Sequence, residues 1–259
     1  MSTGGTDAAL LQRIEAYFDA VPRPAAGVEQ HGPLTLFVSR IPWRFYGRPR
    51  MGLSPADAIG ADDVRALRAR QRELGVREAL EWVAETTPSL ADAARATGME
   101  VVAVPLLAAP ADDVSAVPEV AGVTLRMLGA DDPALVASQD AVDRAFGGAG
   151  GATEDGLGFL RARIRTGITG VAVAEAGGRV VAAGSHHPVG RVSEVMGLGT
   201  LAAERGRGIG SAVTARLAAD ARATGATLVV VSAADERVAR IYERLGFRRA
   251  GTACFGRAA

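Results

Sequence analysis

A glycine- and arginine-rich segment is the first part of the sequence that could do chemistry. Residues 205–210 read Arg-Gly-Arg-Gly-Ile-Gly, and the patterns beside them predict a strand at 192–201 and a helix at 210–224. The first N–H groups of a helix have no partner inside it, and the helix dipole makes that end positive. Glycines let the backbone approach an anion closely, and arginines add fork-shaped donors. The segment therefore predicts a loop that binds phosphate.

Two common phosphate-binding motifs do not fit this loop. A dinucleotide fingerprint requires G-x-G-x-x-G, but Ser211 stands where the third glycine would be, counted from Gly206. A Walker A loop requires Gly-Lys-Ser/Thr, and the chain contains no lysine. The spacing that does fit is R-x-x-G-x-G, with Arg205, Gly208 and Gly210.

A second motif follows after a buried strand predicted at 227–232. Residues 241–247 read Ile-Tyr-Glu-Arg-Leu-Gly-Phe. Together with R-x-x-G-x-G, this segment resembles the GNAT superfamily of acyl-CoA-dependent N-acetyltransferases, over about residues 123–259. The resemblance implies that acetyl-CoA is the co-substrate, that no metal is needed, and that backbone N–H groups of the loop hold the coenzyme A pyrophosphate.

The resemblance also assigns residues to coenzyme A. Strand residues of the family contact the pantetheine arm, and the loop contacts the phosphates. The implied contacts are Leu198, Gly199, Thr200, Arg205, Gly206, Arg207, Gly208, Ile209, Gly210, Ser211 and Asp235. Two of them depart from the family pattern: Thr200 replaces the usual valine, and Asp235 replaces a frequent asparagine.

Two further residues are candidates for catalysis. Glu194 lies eleven residues before Arg205, where some GNAT members carry a glutamate that acts as general base. The two-residue period of a strand predicts that Glu194, Met196, Leu198 and Thr200 share one face. A protonated amine must lose a proton before it attacks a thioester. A solvated carboxylate without a catalytic role remains an alternative for Glu194.

His186 and His187 are alternative bases. Tyr242 matches the family tyrosine that protonates the departing thiolate. The alternative for Tyr242 is a core aromatic residue on an amphipathic helix.

The composition restricts the possible partners and location. The 259 residues include 29 basic and 29 acidic side chains, and this zero net charge disfavours nucleic acid as a partner, also for the arginine-rich loop. No run approaches about 18 apolar residues, and the polar start does not resemble a secretory signal. One cysteine, Cys254, permits neither an intrachain disulfide nor a cysteine metal cluster. We therefore expect a cytoplasmic protein with no nucleic-acid or membrane partner.

The succession of elements predicts an α/β fold with a mixed sheet. Residues 123–259 read strand, two helices, three strands, helix, strand, helix, strand. In the first half, the patterns predict a helix at 7–20, strands at 34–38 and 43–51, and a helix at 61–74. Proline, aspartate and serine at 109–122 predict a linker. We expect a smaller N-terminal α/β domain at 1–108 and the GNAT domain at 123–259.

The end of the first half repeats the pattern at the end of the second. Residues 79–107 read strand, helix, glycine, strand, as residues 227–255 do, and aligning Gly98 with Gly246 places Ala94 at the position of Tyr242. The first half is thus either a degenerate GNAT-like half in a tandem arrangement or an unrelated α/β module. A degenerate half without the loop and the tyrosine should neither bind coenzyme A well nor catalyse. The aromatic and arginine residues at 43–50 are expected to join the halves or to line the acceptor site.

The sequence thus predicts an enzyme that transfers an acetyl group to a primary amine by direct attack. The acceptor is a small-molecule or peptide amine whose identity the motifs do not specify. The alternative function is a non-catalytic regulatory protein that binds acyl-CoA. Both a monomer and a homodimer are compatible with the sequence.

Overall fold

The computed structural model describes residues 8–41 and 45–258, and it confirms the mixed α/β fold. The helices are α1 (Ala8–Ala20), α2 (Ala61–Glu73), α3 (Leu90–Ala96), α4 (Ala134–Ala145), α5 (Glu154–Arg165), α6 (Ile209–Ala223) and α7 (Glu236–Glu243). The strands are β1 (Ala26–His31), β2 (Leu34–Ser39), β3 (Gly47–Pro49), β4 (Ala79–Val83), β5 (Met99–Pro110), β6 (Val123–Met127), β7 (Gly170–Ala176), β8 (Arg179–Val189), β9 (Val192–Thr200), β10 (Leu228–Ser232) and β11 (Arg248–Ala258). No helix in the described ranges is both long and apolar enough to cross a membrane.

The chain divides into two compact units whose bounds differ from the predicted domain boundaries. The first unit comprises Met1–Leu106, Ala233–Asp235 and Arg249–Ala259, and the second comprises Leu107–Ser232 and Glu236–Arg248. Residues 109–122, expected as a linker, thus fall within the second unit. Nearly all of β11 falls within the first unit, because it pairs antiparallel with β4, for example Cys254 with Trp82.

The first unit is built on a sheet with the order β1-β2-β3-β4-β11-β5. The apolar face of this sheet packs with α2 and α3 in a core that includes Leu67, Leu80, Trp82 and Leu90. Strand β1 was not predicted, because only one of its residues is buried and its sequence ends in Glu-Gln-His. The strand expected at 43–51 is shorter, and β3 covers only Gly47–Pro49.

A buried ion pair lies on the other side of this sheet. Arg48 of β3 donates from Nη2 to a carboxylate oxygen of Glu15 in α1, and the Arg48 side chain is 1% exposed. Thr86 donates to the other oxygen of Glu15 at 2.5 Å. Trp43 and Arg44 of the same stretch are outside the described residues.

The second unit has the sheet order β5-β10-β9-β8-β7-β6. Strands β6 to β9 are antiparallel neighbours, whereas β9 and β10 run parallel. Helices α4 and α5 contribute Leu135 and Leu157 to a core with Val171 and Val173 of β7. Helix α6 packs against the opposite face, where Leu217 lies beside Gly184 of β8. The observed order of elements from β6 to β11 is the predicted one.

Candidate active site

Strand β10 covers only the first part of its neighbour β9, because β10 ends at Ser232. They pair only from Val192–Val195 with Leu228–Val231. Strand β9 then continues to Thr200 and, among the described residues, has no strand partner on that side. An unpaired strand edge presents backbone N–H and C=O groups that a ligand can use. The edge of β9 beside Leu198, Gly199 and Thr200 is therefore open, and we call this open edge the slot beside β9.

A β-bulge lies in the part of β9 that extends beyond β10 and still pairs with β8. Gly197 has a φ of +58°, in the left-handed region that favours glycine. On the β8 side, Met196 pairs with Ser185, but Gly199 pairs with Ala183. Two residues of β9 therefore lie opposite one residue of β8, and the extra residue shifts the alternation of side chains.

Because of this bulge, the prediction that Glu194, Met196, Leu198 and Thr200 share one face of β9 is wrong. Glu194 and Met196 share a face with Gly199, where a Cβ on Gly199 would lie 2.7 Å from an atom of Ala145 in α4. Leu198 and Thr200 point to the opposite face, towards α6. One inserted residue moves every later side chain to the other face of the strand. Glu194 is thus on the α4 side of the sheet.

The glycine loop leads directly into α6 with its N–H groups free. Gly206 and Gly208 both have a φ of +81°, and a Cβ at either position would meet no atom within 4 Å. The N–H groups of residues 208–211 donate to no acceptor among the described residues, and the first helical bond is from Ala212 to Gly208. Four free donors at the start of a 15-residue helix form an anion-binding site.

The two arginines of the loop are tied to the protein. Arg205 donates from Nε to the Thr200 carbonyl at 3.1 Å and from Nη2 to the Ala145 carbonyl at 2.9 Å. Arg207 pairs with Glu204 and donates to the Ala121 carbonyl at 3.0 Å. The side chains thereby hold the loop in place and keep positive charge beside it.

Glu194 lies on β9 opposite His187 of β8. It is half-buried, whereas His187 is buried. Burial, with a smaller contribution from the positive charge of Arg163, lowers the pKa of His187 to about 3. A histidine with so low a pKa is neutral at pH 7 and is a weak base towards an ammonium group. The low pKa therefore argues against His187 as the base.

His186 has a structural position that the sequence did not indicate. Its Nδ1 lies 2.8 Å from Ser193 Oγ and its Nε2 lies 2.9 Å from Asp220 Oδ2. The hydrogen bond from His186 is the main cause that lowers the pKa of Asp220. Because both ring nitrogens are engaged and the residue is 1% exposed, His186 links β8, β9 and α6 and is not accessible to an acceptor.

Close packing around His186 explains a glycine in the neighbouring strand. A Cβ on Gly170 would lie 2.2 Å from His186 Nε2. A side chain there would displace the imidazole from Asp220.

Tyr242 is buried near the end of α7. Its ring centroid lies 6.0 Å from that of Phe247, and Leu245 N–H donates to the Tyr242 carbonyl at 2.9 Å. Within the described part of the chain the hydroxyl has no hydrogen-bond partner, yet its oxygen is not among the fully buried unpaired atoms, so it reaches accessible space. Burial raises the pKa of Tyr242 to about 12, which keeps the phenol protonated at neutral pH.

Asp235 differs from the other candidate residues in its placement. It directly precedes the first residue of α7, is exposed, and belongs to the first unit. All other candidate residues belong to the second unit.

The first unit has a different arrangement at the start of α2, which precedes β4 in the chain as α6 precedes β10. Asp62 and Asp63 lie in its first turn, and the Gly60 N–H donates to Asp63 Oδ2 at 2.9 Å. Carboxylates here already interact with the positive end of the helix and repel a phosphate. This supports the expectation that the first unit binds coenzyme A poorly.

Part of the chain is similar to a known protein family. Residues 139–247 match the model of the acetyltransferase (GNAT) family. This segment is a GNAT domain. None of the curated proteins matches the chain.

Solved structures extend the likeness beyond that segment. A GCN5-related N-acetyltransferase from Kribbella flavida is 26% identical, with a TM-score of 0.72, and 96% of each chain is covered. A putative acetyltransferase of the GNAT family from Novosphingobium aromaticivorans is 20% identical, with a TM-score of 0.54, over 96% of this chain and 97% of its own.

A tandem GNAT protein from the clavulanic acid biosynthesis pathway covers 99% of this chain and 97% of its own, with 16% identity and a TM-score of 0.58. This likeness concerns the fold alone, and it fits an N-terminal GNAT-like half. Of the two interpretations of the first half, the GNAT-like one is therefore supported.

Proposed function

We propose that this protein transfers an acetyl group from acetyl-CoA to a primary amine of a small molecule or peptide. The GNAT domain supports acyl transfer in general. The observation that carries the choice of donor is the set of free N–H groups at residues 208–211, which begins where the slot beside β9 ends. A pyrophosphate with an extended arm fits such a combination of an anion site and an open strand edge.

The residues of the loop and of β9 fit the two parts of coenzyme A. The N–H groups from Gly206 to Ser211 would hold the pyrophosphate, with Arg205 and Arg207 adding positive charge. The backbone of Leu198, Gly199 and Thr200 would bind the pantetheine arm. Backbone N–H groups that point at a thioester oxygen also stabilise the negative charge that develops on it. Acetyl-CoA itself supplies an activated carbonyl with a thiolate leaving group.

Glu194 and Tyr242 would each move one proton of the reaction. The carboxylate of Glu194 takes a proton from the ammonium group, directly or through water, and frees the nitrogen lone pair. The nitrogen forms a bond to the acetyl carbonyl carbon, and the bond from that carbon to sulfur breaks. The nitrogen then releases its second proton to solvent, which leaves the neutral amide. Tyr242 donates its hydroxyl proton to the departing thiolate, since its raised pKa leaves that proton in place at neutral pH.

The proposal is tested by measuring free thiol released from acetyl-CoA with a panel of amines. We expect thiol release that depends on an amine, with the acetylated product detected by mass spectrometry. Candidate acceptors are polyamines, amino acids, aminoglycosides and peptides with a free amine. Binding of acetyl-CoA without turnover across the panel would instead indicate a non-catalytic acyl-CoA-binding protein.

Arg205→Glu should weaken acetyl-CoA binding by about tenfold or more, because it removes two bonds that hold the loop and places a negative charge beside the phosphates. Isothermal titration calorimetry measures this affinity, and we expect one site per chain. Arg222→Glu, at the far end of α6, is the matched control and should bind acetyl-CoA normally. Equal affinity in the Arg205 variant and the wild-type protein would argue against this cofactor site.

Glu194→Gln should lower kcat/KM by about a hundredfold, because the amide cannot accept the amine proton. Acetyl-CoA affinity should stay unchanged, since the proposed role concerns the acceptor. Glu154→Gln is a suitable control, because Glu154 is exposed on α5 and pairs only with Arg161 in the described structure. If both variants retain full activity at pH 7, the base is another group or solvent.

A further inference from the structure

The first unit contains a cavity of about 330 Å³ lined mainly by arginines. Arg65, Arg68 and Arg72 of α2 form one wall, and Ala96 and Thr97 at the end of α3 complete the lining. The spacing of three and four residues places the arginines on one face of α2. The three arginines belong to the middle and the last turns of α2, and Asp62 of the first turn pairs with one of them, Arg65.

Arg68 is held in a fixed orientation at this cavity. Its side chain is 14% exposed, its Nε donates to Glu78 Oε2 at 2.5 Å, and its Nη1 donates to the Thr97 carbonyl. A guanidinium group that is already positioned loses little entropy when it binds an anion with its remaining N–H groups.

The arginines exceed the carboxylates that neutralise them. Arg72 donates to the same Glu78 oxygen as Arg68, at 2.9 Å, so one carboxylate serves two guanidinium groups. Arg65 pairs with Asp62, whose side chain is 97% exposed, and such a solvated pair is weak. Three cationic groups and two carboxylates leave one positive charge uncompensated at the cavity.

We propose that this cavity binds a phosphate group, either inorganic phosphate or a phosphomonoester on a small molecule. Guanidinium forks match phosphate oxygens in geometry and charge, and a tetrahedral dianion can accept hydrogen bonds from several arginines at once. The volume also leaves room for an organic group beside the phosphate. The site is separate from the coenzyme A loop and does not depend on the proposed acyl transfer.

The test is a titration of the full-length protein, followed by ¹H–¹⁵N correlation spectra. Inorganic phosphate and glycerol phosphate are the probes, and sodium chloride at equal ionic strength is the control. We expect saturable shifts of the Thr97 amide and Arg68 Nε–H signals at concentrations on the order of 1 mM. Signals of Gly206 and Gly208 report separately on phosphate at the coenzyme A loop.

Two variants make the result specific. Arg72→Gln should weaken phosphate binding at Thr97 by about fivefold or more, because one charge-assisted donor is lost. Arg95→Gln should bind normally, because Arg95 is an exposed residue of α3 that pairs with Asp92 and does not line the cavity. Tighter binding of glycerol phosphate would support a phosphomonoester, and equal binding would support phosphate itself. Absent or unsaturable shifts at Thr97 and Arg68, or equal weakening in both variants, would overturn the proposal.

Discussion

Tyr242→Phe should lower turnover by about tenfold or more while acetyl-CoA affinity stays the same. The substitution removes the hydroxyl proton but keeps the ring that packs against Phe247. The fold and the coenzyme A loop should therefore be unaffected. Steady-state kinetics with a saturating amine, together with calorimetry for acetyl-CoA, separate the two effects. Tyr46→Phe, in the first unit, is the matched control, and its ring contact with Phe37 is likewise retained.

The pH dependence of the wild-type enzyme gives a second measurement for this residue. Because burial raises the pKa of Tyr242 to about 12, the phenol does not lose its proton in the ordinary assay range. We therefore expect kcat to show no fall on the alkaline side up to about pH 10. An alkaline fall that disappears in Tyr242→Phe, or full turnover in that variant, would contradict the proton-donor role.

Glu15→Gln should reduce the free energy of unfolding by about 3–5 kcal/mol, because it removes the carboxylate that pairs with the buried guanidinium of Arg48. The carboxyl of Glu81 also interacts with Arg48, but burial raises the pKa of Glu81 to about 7, so Glu81 is only partly ionised at pH 7. Arg48 already has two buried N–H-bearing nitrogens, Nε and Nη1, with no partner among the described residues. The loss of the hydrogen bond to Glu15 would therefore leave still more of the buried guanidinium of Arg48 without a partner. Chemical denaturation followed by circular dichroism measures the change.

Asp62→Asn provides the comparison for this stability prediction. It removes the partner of Arg65 in a largely exposed pair, and we expect no measurable change. The double variant Glu15→Met with Arg48→Met should recover much of the lost stability, since apolar side chains do not need a counter-charge. A Glu15→Gln protein as stable as Asp62→Asn would contradict the prediction and would indicate that Glu81 or water compensates the charge of Arg48.

Local patterns in the sequence were sufficient to predict most of the helices and strands of the second unit. Its elements follow clear periodicities, and the match of residues 139–247 to the GNAT family agrees with the interpretation of the loop and of Tyr242 as family motifs. Strand β1 was missed because a largely solvated edge strand lacks an apolar pattern. The roles of the individual site residues stay predictions that the kinetic experiments above would test.

Other features depend on contacts that no local pattern contains. The face of β9 predicted for Leu198 was wrong, because the bulge at Gly197 interrupts the alternation of side chains along the strand. A glycine in a strand does not by itself reveal a bulge. The link between His186 and Asp220 joins residues 34 positions apart. The pairing of β11 with β4 joins residues still further apart, so the domain bounds could not follow from composition.

The position of β11 also has a consequence for how the protein is made. In the first unit this strand lies between β4 and β5, yet it leaves the ribosome only after residues 107–232 of the second unit. The nascent N-terminal segment therefore emerges with two strand edges that lack their partner, and such edges favour aggregation. Co-translational folding of the first unit has to wait until β11 has been synthesised, and a gene fragment that encodes residues 1–106 would express a sheet that lacks this inner strand.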